Sequence, residues 1–143
     1  MKTKILIAIF SILPISTLSG MGTWIFNNRS HGELKWSTIQ TENFDVHYHD
    51  GIREIAVKGA SMAEQIRPVL MKQMGIKNLP RLDIAFTAED EVLNGFAVPA
   101  DYTIIWVDQN DAALWNGDEK WLRTVLAHEL QHLVYFNTVK GPK

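Results

Sequence analysis

Two histidines and a glutamate near the C-terminal end of the chain have the spacing of a zinc site. They lie in the segment His128-Glu129-Leu130-Gln131-His132. Positions four apart on an α-helix share one face, one turn above the other, so both imidazoles could bind one ion. Catalytic zinc takes three protein ligands and keeps a fourth position for water. Glu129 is then the candidate general base, accepting a proton from the attacking water and returning it to the leaving amine.

The residues around this motif favour a metal site over a chance match on a solvated polar face. A helix that is apolar on nearly every face is typically buried. Burying two imidazoles and a carboxylate without partners would cost about 1–3 kcal/mol for each group, and a metal ion would supply the partner. We therefore predict His128 and His132 as zinc ligands and Glu129 as the catalytic residue. The apolar residues that surround the motif are Leu122, Val125, Leu126, Ala127, Leu130, Leu133, Val134 and Phe136.

Three other histidines are weaker candidates. His47 and His49 are two apart in a segment with the period of a strand, so both would point to the same face and could in principle bind a metal. The simpler interpretation places them on the solvent side of a half-buried strand. His31 has no partner pattern around it.

In the first half of the sequence that follows residue 36, the residue pattern predicts a strand and a long helix. Residues 44–48 alternate apolar and polar side chains, the period of a half-buried strand. Asp50 could cap the helix that follows. Apolar residues recur at steps of three and four over 52–70, one face of an amphipathic helix. Pro68 predicts a kink or break in this helix, and Gly75 predicts its end.

The second half predicts further strands. Residues 82–86 alternate apolar and polar side chains, and 103–107 is rich in β-branched and aromatic residues. Turn signals at Asn94-Gly95 and at 99–101 bracket a short extended piece, 96–98.

The last element is the helix that carries the motif, predicted from about Asp118 to Asn137. Asn116 and Glu119 resemble a capping box at its start. The order of elements indicates an α+β domain in which two main helices pack on a small mixed sheet, the second helix carrying the motif.

Composition excludes several classes of function. The 143 residues suit one domain, and 46% hydrophobic and 21% charged residues argue against disorder. The formal net charge of −2, with both signs interspersed, is not that of a nucleic-acid-binding protein. The chain has no cysteine, so a thiolate zinc site and disulfides are excluded and a metal must bind through imidazole and carboxylate.

The N-terminal segment predicts export. Lys2 and Lys4 precede an apolar run over 5–15, followed by small residues suited to cleavage. We interpret 1–20 as a signal peptide, 21–35 as a linker and 36–143 as the domain. The alternative is an uncleaved anchor, since apolar character resumes at 24–26; only then would the protein associate with a membrane. In both cases the domain would work in the periplasm or outside the cell.

The stretch 36–48, together with 82–86, 94–97, 103–107 and 126–134, resembles the peptidase-MA-like domains. These are gluzincin-type metallopeptidase domains of bacterial exported proteins, often followed by a β-propeller of TolB type. The resemblance implies a zincin-like N-terminal subdomain, a zinc cofactor and a peptide or protein substrate. It also implies that an edge strand, near 96–98 by position, pairs with the substrate.

The residues after the motif restrict the class further. Metzincins place Gly and His three and six residues after the second histidine, where this chain has Tyr135 and Thr138. Gluzincins take their third ligand, a glutamate, from a later helix. We therefore expect that ligand beyond Lys143, which would make this sequence the N-terminal portion of a longer protein. The main hypothesis is an exported zinc peptidase; the alternative is a non-catalytic interaction module or an inactive pseudopeptidase.

Overall fold

Alternating apolar residues form the centre of a five-stranded sheet, against which two helices pack. A computed structural model describes residues 33–89, 94–107 and 120–139, and the fold belongs to the unit that begins at Leu34. The strands are β1 (Trp36–Gln40), β2 (Phe44–His49), β3 (Leu82–Thr87), β4 (Asn94–Val98) and β5 (Tyr102–Trp106); the helices are α1 (Arg53–Gln73) and α2 (Lys120–Val139).

The sheet has the order β1-β2-β3-β5-β4. The central pairs β2–β3 and β3–β5 are parallel, whereas β1–β2 and β4–β5 are antiparallel. This arrangement confirms the predicted α+β class with a mixed sheet and two helices. β1 was not predicted from the sequence, because its exposed, alternating pattern carries little apolar signal. β4 ends the sheet on the side of the motif helix.

The core lies between the sheet and the helices. In the register of β2 and β3, Phe44 pairs with Leu82 and Val46 with Ile84, and all four side chains are buried. α1 adds Ile55, Ala63, Ile66 and Leu70 to the same core, and α2 adds Leu126, Leu130 and Leu133. α1 packs on β1 and β2, α2 packs on β4 and β5, and the two helices contact each other. The motif helix is therefore held between α1 and the β4–β5 hairpin.

Two local predictions for α1 were wrong, a break at Pro68 and a cap by Asp50. α1 continues through Pro68 without a break, because buried Ile66 and Leu70 hold both sides of the proline on the core. Their packing offsets the cost of about 3 kcal/mol for the lost backbone bond and the clash of the proline ring with the preceding turn. The alternative, a kink at Pro68, stays a prediction. Asp50 does not cap the helix: the N-cap residue is Ile52, with no side-chain cap. The predicted end is confirmed, since Gly75 follows α1 in the left-handed region at φ 67°.

Of the two predicted turns, one is confirmed and the other is wrong. The turn at 99–101 is confirmed and contains Asp101 at φ 68°. Asn94-Gly95 is not a turn but the start of β4, where Gly95 pairs with Ile105. The proposed cap residues Asn116 and Glu119 lie outside the described residues, as do 1–20 and nearly all of 21–35. Neither helix in the described ranges is both long and apolar enough to cross a membrane.

Candidate metal centre

The helix α2 brings the two motif histidines together on one face. The Nε2 atoms of His128 and His132 are 3.1 Å apart, and the two rings are nearly perpendicular, with centroids 4.7 Å apart. The ring of His132 also stacks on Phe136 at 6.2 Å. The spacing of four residues therefore places two imidazole nitrogens at one point beside the helix.

This separation of the two nitrogens fits zinc. Two ligand nitrogens, each about 2.05 Å from one tetrahedral ion, would be about 3.3 Å apart, close to the 3.1 Å between the rings. In the part of the chain that the structure describes, no group of three His, Cys, Asp or Glu side chains is placed to hold one ion. The third ligand, expected beyond Lys143, stays a prediction.

The burial of the motif differs from the sequence prediction. His128 and His132 are exposed, whereas Glu129 is only 6% exposed. α2 is not buried on every face: Leu126 and Leu130 are buried, but Tyr135 is 53% exposed. The prediction that buried imidazoles need a metal partner is therefore wrong for the histidines, and the burial cost applies to Glu129 alone.

Glu129 lies against the strand β4. A Cβ atom built on Gly95 would be 2.6 Å from Glu129 Cγ and 2.8 Å from Val125 Cγ2, so the bare backbone of β4 is what leaves room for this side chain. Burial raises the pKa of the Glu129 carboxyl above its ordinary value. The charges of His128 and His132 and a backbone hydrogen bond from Ala97 lower it, but they offset only part of the effect of burial.

Two contacts fix α2 relative to its neighbours. Near its C-terminal end, Asn137 Nδ2 donates a hydrogen bond to Asp101 Oδ1 in the β4–β5 turn, at 2.7 Å. Near its N-terminal end, Arg123 donates to Gln65 Oε1 of α1 at 3.2 Å. These contacts hold the motif helix in position at both ends.

The exposed face of the motif borders two concave surfaces. A small cavity of about 180 Å³ is lined by Met74, His128, Gln131, His132 and Tyr135. A groove of about 490 Å³ between α1 and α2 shares His128 and Gln131 with it. The imidazole nitrogens are thus accessible to an ion and to a ligand from solvent.

A larger cavity of about 670 Å³ lies away from the motif, beside Glu64 and Arg67. Its polar side chains bond within the chain. Glu64 accepts hydrogen bonds from the Thr41 hydroxyl at 2.6 Å and from the Asn43 backbone N–H at 2.8 Å, and Arg67 donates to the carbonyl of Pro80 at 3.0 Å. These contacts tie the β1–β2 turn to α1 and account for the charged groups there.

The other histidines do not form a joint site. His47 Nε2 lies 2.9 Å from Asp83 Oδ1, and its Nδ1 lies 2.9 Å from the Thr38 hydroxyl. His49 is not on the solvent side: it is 1% exposed, and its Nε2 accepts a hydrogen bond from the Ala88 backbone N–H at 3.0 Å. Both rings therefore form hydrogen bonds with the sheet or with the residues directly next to it. His31 lies outside the described residues.

Gly95 and Ala97 were not predicted from the sequence as neighbours of Glu129. An isolated glycine in a strand often marks the close approach of another group, but that signal was assigned to a turn. Gln131 and Tyr135, which also line the small cavity, carried no signal other than their helical spacing from the histidines.

Comparison with known proteins adds no relative: no protein-family model matches the chain, nor does any curated protein or solved structure. The resemblance to peptidase-MA-like domains therefore stays a prediction.

Proposed function

We propose that this chain provides the motif helix of an exported, zinc-dependent peptidase. The observation that carries the proposal is the convergence of His128 and His132 at 3.1 Å with a buried carboxylate, Glu129, on the same helix. A zincin-like N-terminal subdomain is the corresponding interpretation of the sheet and the two helices.

Each motif residue has a separate role in the proposed reaction. His128 and His132 would hold zinc, which when bound supplies a Lewis acid for water and carbonyl groups. Glu129 accepts the proton of the attacking water and delivers it to the amine that leaves. Burial raises the pKa of this carboxyl above its ordinary value.

The position of β4 supports a peptide or protein as the substrate class. This strand ends the described sheet and contacts α2 beside Glu129. An extended peptide can add to such an edge through backbone hydrogen bonds, with its side chains alternating between the two faces. A peptide aligned in this way would pass the motif, so we infer an unstructured peptide or protein as substrate.

The proposal is tested with a Glu129→Gln variant. This variant is made in the protein that the complete reading frame containing this sequence encodes. The matched control is Glu54→Gln, the same chemical change on an exposed residue of α1. We expect both variants to bind about one zinc ion per chain, as the unmodified protein does, measured by metal analysis after gel filtration. Hydrolysis of an unfolded protein should fall by about 10²–10⁴-fold in Glu129→Gln only. Cleavage that survives this substitution would refute the role of Glu129.

The rival function is a non-catalytic exported interaction module or an inactive pseudopeptidase. It applies if the two converging imidazoles bind zinc only structurally or do not bind it. The complete reading frame distinguishes the two functions, since a peptidase of this class needs a later helix with a glutamate. Zinc bound without any cleavage would support the rival.

A further inference from the structure

At Gly95 the side chains of the motif helix pack directly on the bare backbone of β4. A Cβ atom there would lie 2.6 Å from Glu129 Cγ, 2.9 Å from Glu129 Oε1 and 2.8 Å from Val125 Cγ2. Separations below 3.0 Å require one of the groups to move. Two of the three atoms belong to Glu129, so this side chain lies directly over the bare backbone of Gly95.

We propose that Gly95 is a positioning residue for the Glu129 carboxylate. The proposal rests on the proposed function of Glu129 as general base and deepens it. The missing side chain leaves the space that the Glu129 side chain occupies against β4, so a side chain at position 95 would displace the carboxylate.

The expected effect of a side chain at position 95 depends on which of its two neighbours, Glu129 or Val125, moves to make room for it. Gly95 has no left-handed backbone conformation, so alanine is compatible with its φ and acts only through the added methyl group. Val125 is short and branched, with few alternative positions. The Glu129 side chain has more rotatable bonds and would move first. A methyl group at position 95 should therefore displace the Glu129 carboxylate more than it displaces the backbone of β4 or α2.

The test compares Gly95→Ala with the unmodified protein in zinc content, Tm and steady-state kinetics. A displacement of about 1 Å can cost about 100-fold in rate, so we expect kcat to fall by about that factor. KM and zinc affinity should change by less than about threefold, because the histidines are not touched by the added methyl group. An unchanged kcat, or a loss explained by lost zinc, overturns the proposal.

Val125→Ala separates the two contacts. In Gly95→Ala/Val125→Ala the methyl group no longer meets Val125, but it still meets Glu129. If Gly95 positions the carboxylate, the kcat defect remains in the double variant. If the defect comes from a shifted strand, removal of the Val125 methyl groups restores kcat, and the proposal fails.

A double-mutant cycle on stability tests the contact without any activity. Gly95→Ala should lower Tm less when Glu129 is replaced by alanine than when Glu129 is present, because the alanine lacks the two atoms that the methyl group meets. Tm shifts that simply add would show that the contact does not exist. An inactive unmodified protein would count against the proposed function, while this cycle would still decide whether Gly95 and Glu129 are in contact.

Discussion

The close packing of α1 on the sheet predicts that a better helix former will destabilise this protein. Gly59 lies in the middle of α1, on its buried face. A Cβ atom at this position would lie 2.8 Å from Cε2 of Phe86 on β3 and would also contact Cζ of that ring. The perturbation is Gly59→Ala, which adds this one atom.

Two effects of opposite sign determine the result. Alanine is more favourable than glycine inside a helix by about 1 kcal/mol. An extra methyl group in a packed core costs about 1–3 kcal/mol. The Phe86 ring cannot move to solvent, since it is fully buried and paired with Ile105, which is also fully buried. We therefore expect the upper part of that range, about 2–3 kcal/mol, and a net loss of about 1–2 kcal/mol, or about 4–8 °C in Tm for a domain of this size.

The assay is urea denaturation of Gly59→Ala in two backgrounds. With Phe86 present, the free energy of unfolding should fall. With Phe86→Leu, which lacks the outer ring atoms, Gly59→Ala should become neutral or stabilising by up to about 1 kcal/mol, as helix propensity alone predicts. A variant that is more stable than the unmodified protein with Phe86 in place would refute the close contact between α1 and β3.

The remaining predictions concern two polar contacts, one made by the partly buried Glu64 and one by the buried His49. Burial raises the pKa of Glu64, but hydrogen bonds from Thr41 and Asn43 and the charge of Arg67 together bring it below its ordinary value of 4.5. Its contribution to stability is thus present above pH 4.5 and is lost as the pH falls through the lower folded pKa, so Glu64→Gln should lose less stability between pH 7 and pH 3 in urea titrations. His49→Ala leaves the Ala88 N–H without its ring acceptor and should cost about 1–3 kcal/mol. A loss of under 0.5 kcal/mol on thermal unfolding would contradict the role of that bond.

The sheet shows where sequence patterns succeed and where they fail. β2 and β3 were predicted because one side of each strand is fully buried, which forces apolar residues to alternate with polar ones. β1 was missed because it lies at the end of the sheet and its side chains are largely exposed. The prediction of a break at Pro68 was wrong because packing on the core outweighs the low helix propensity of proline.

Local spacing in the sequence was enough to predict that His128 and His132 share one face of a helix, since a helical period is a property of consecutive residues. The spacing could not determine which face of α2 is buried, because that depends on α1 and on the β4–β5 hairpin. Tertiary structure alone placed Glu129 inside and the histidines outside. It also placed Gly95 under the carboxylate. That contact joins residues far apart in the chain, and the sequence alone carries no measure of their distance.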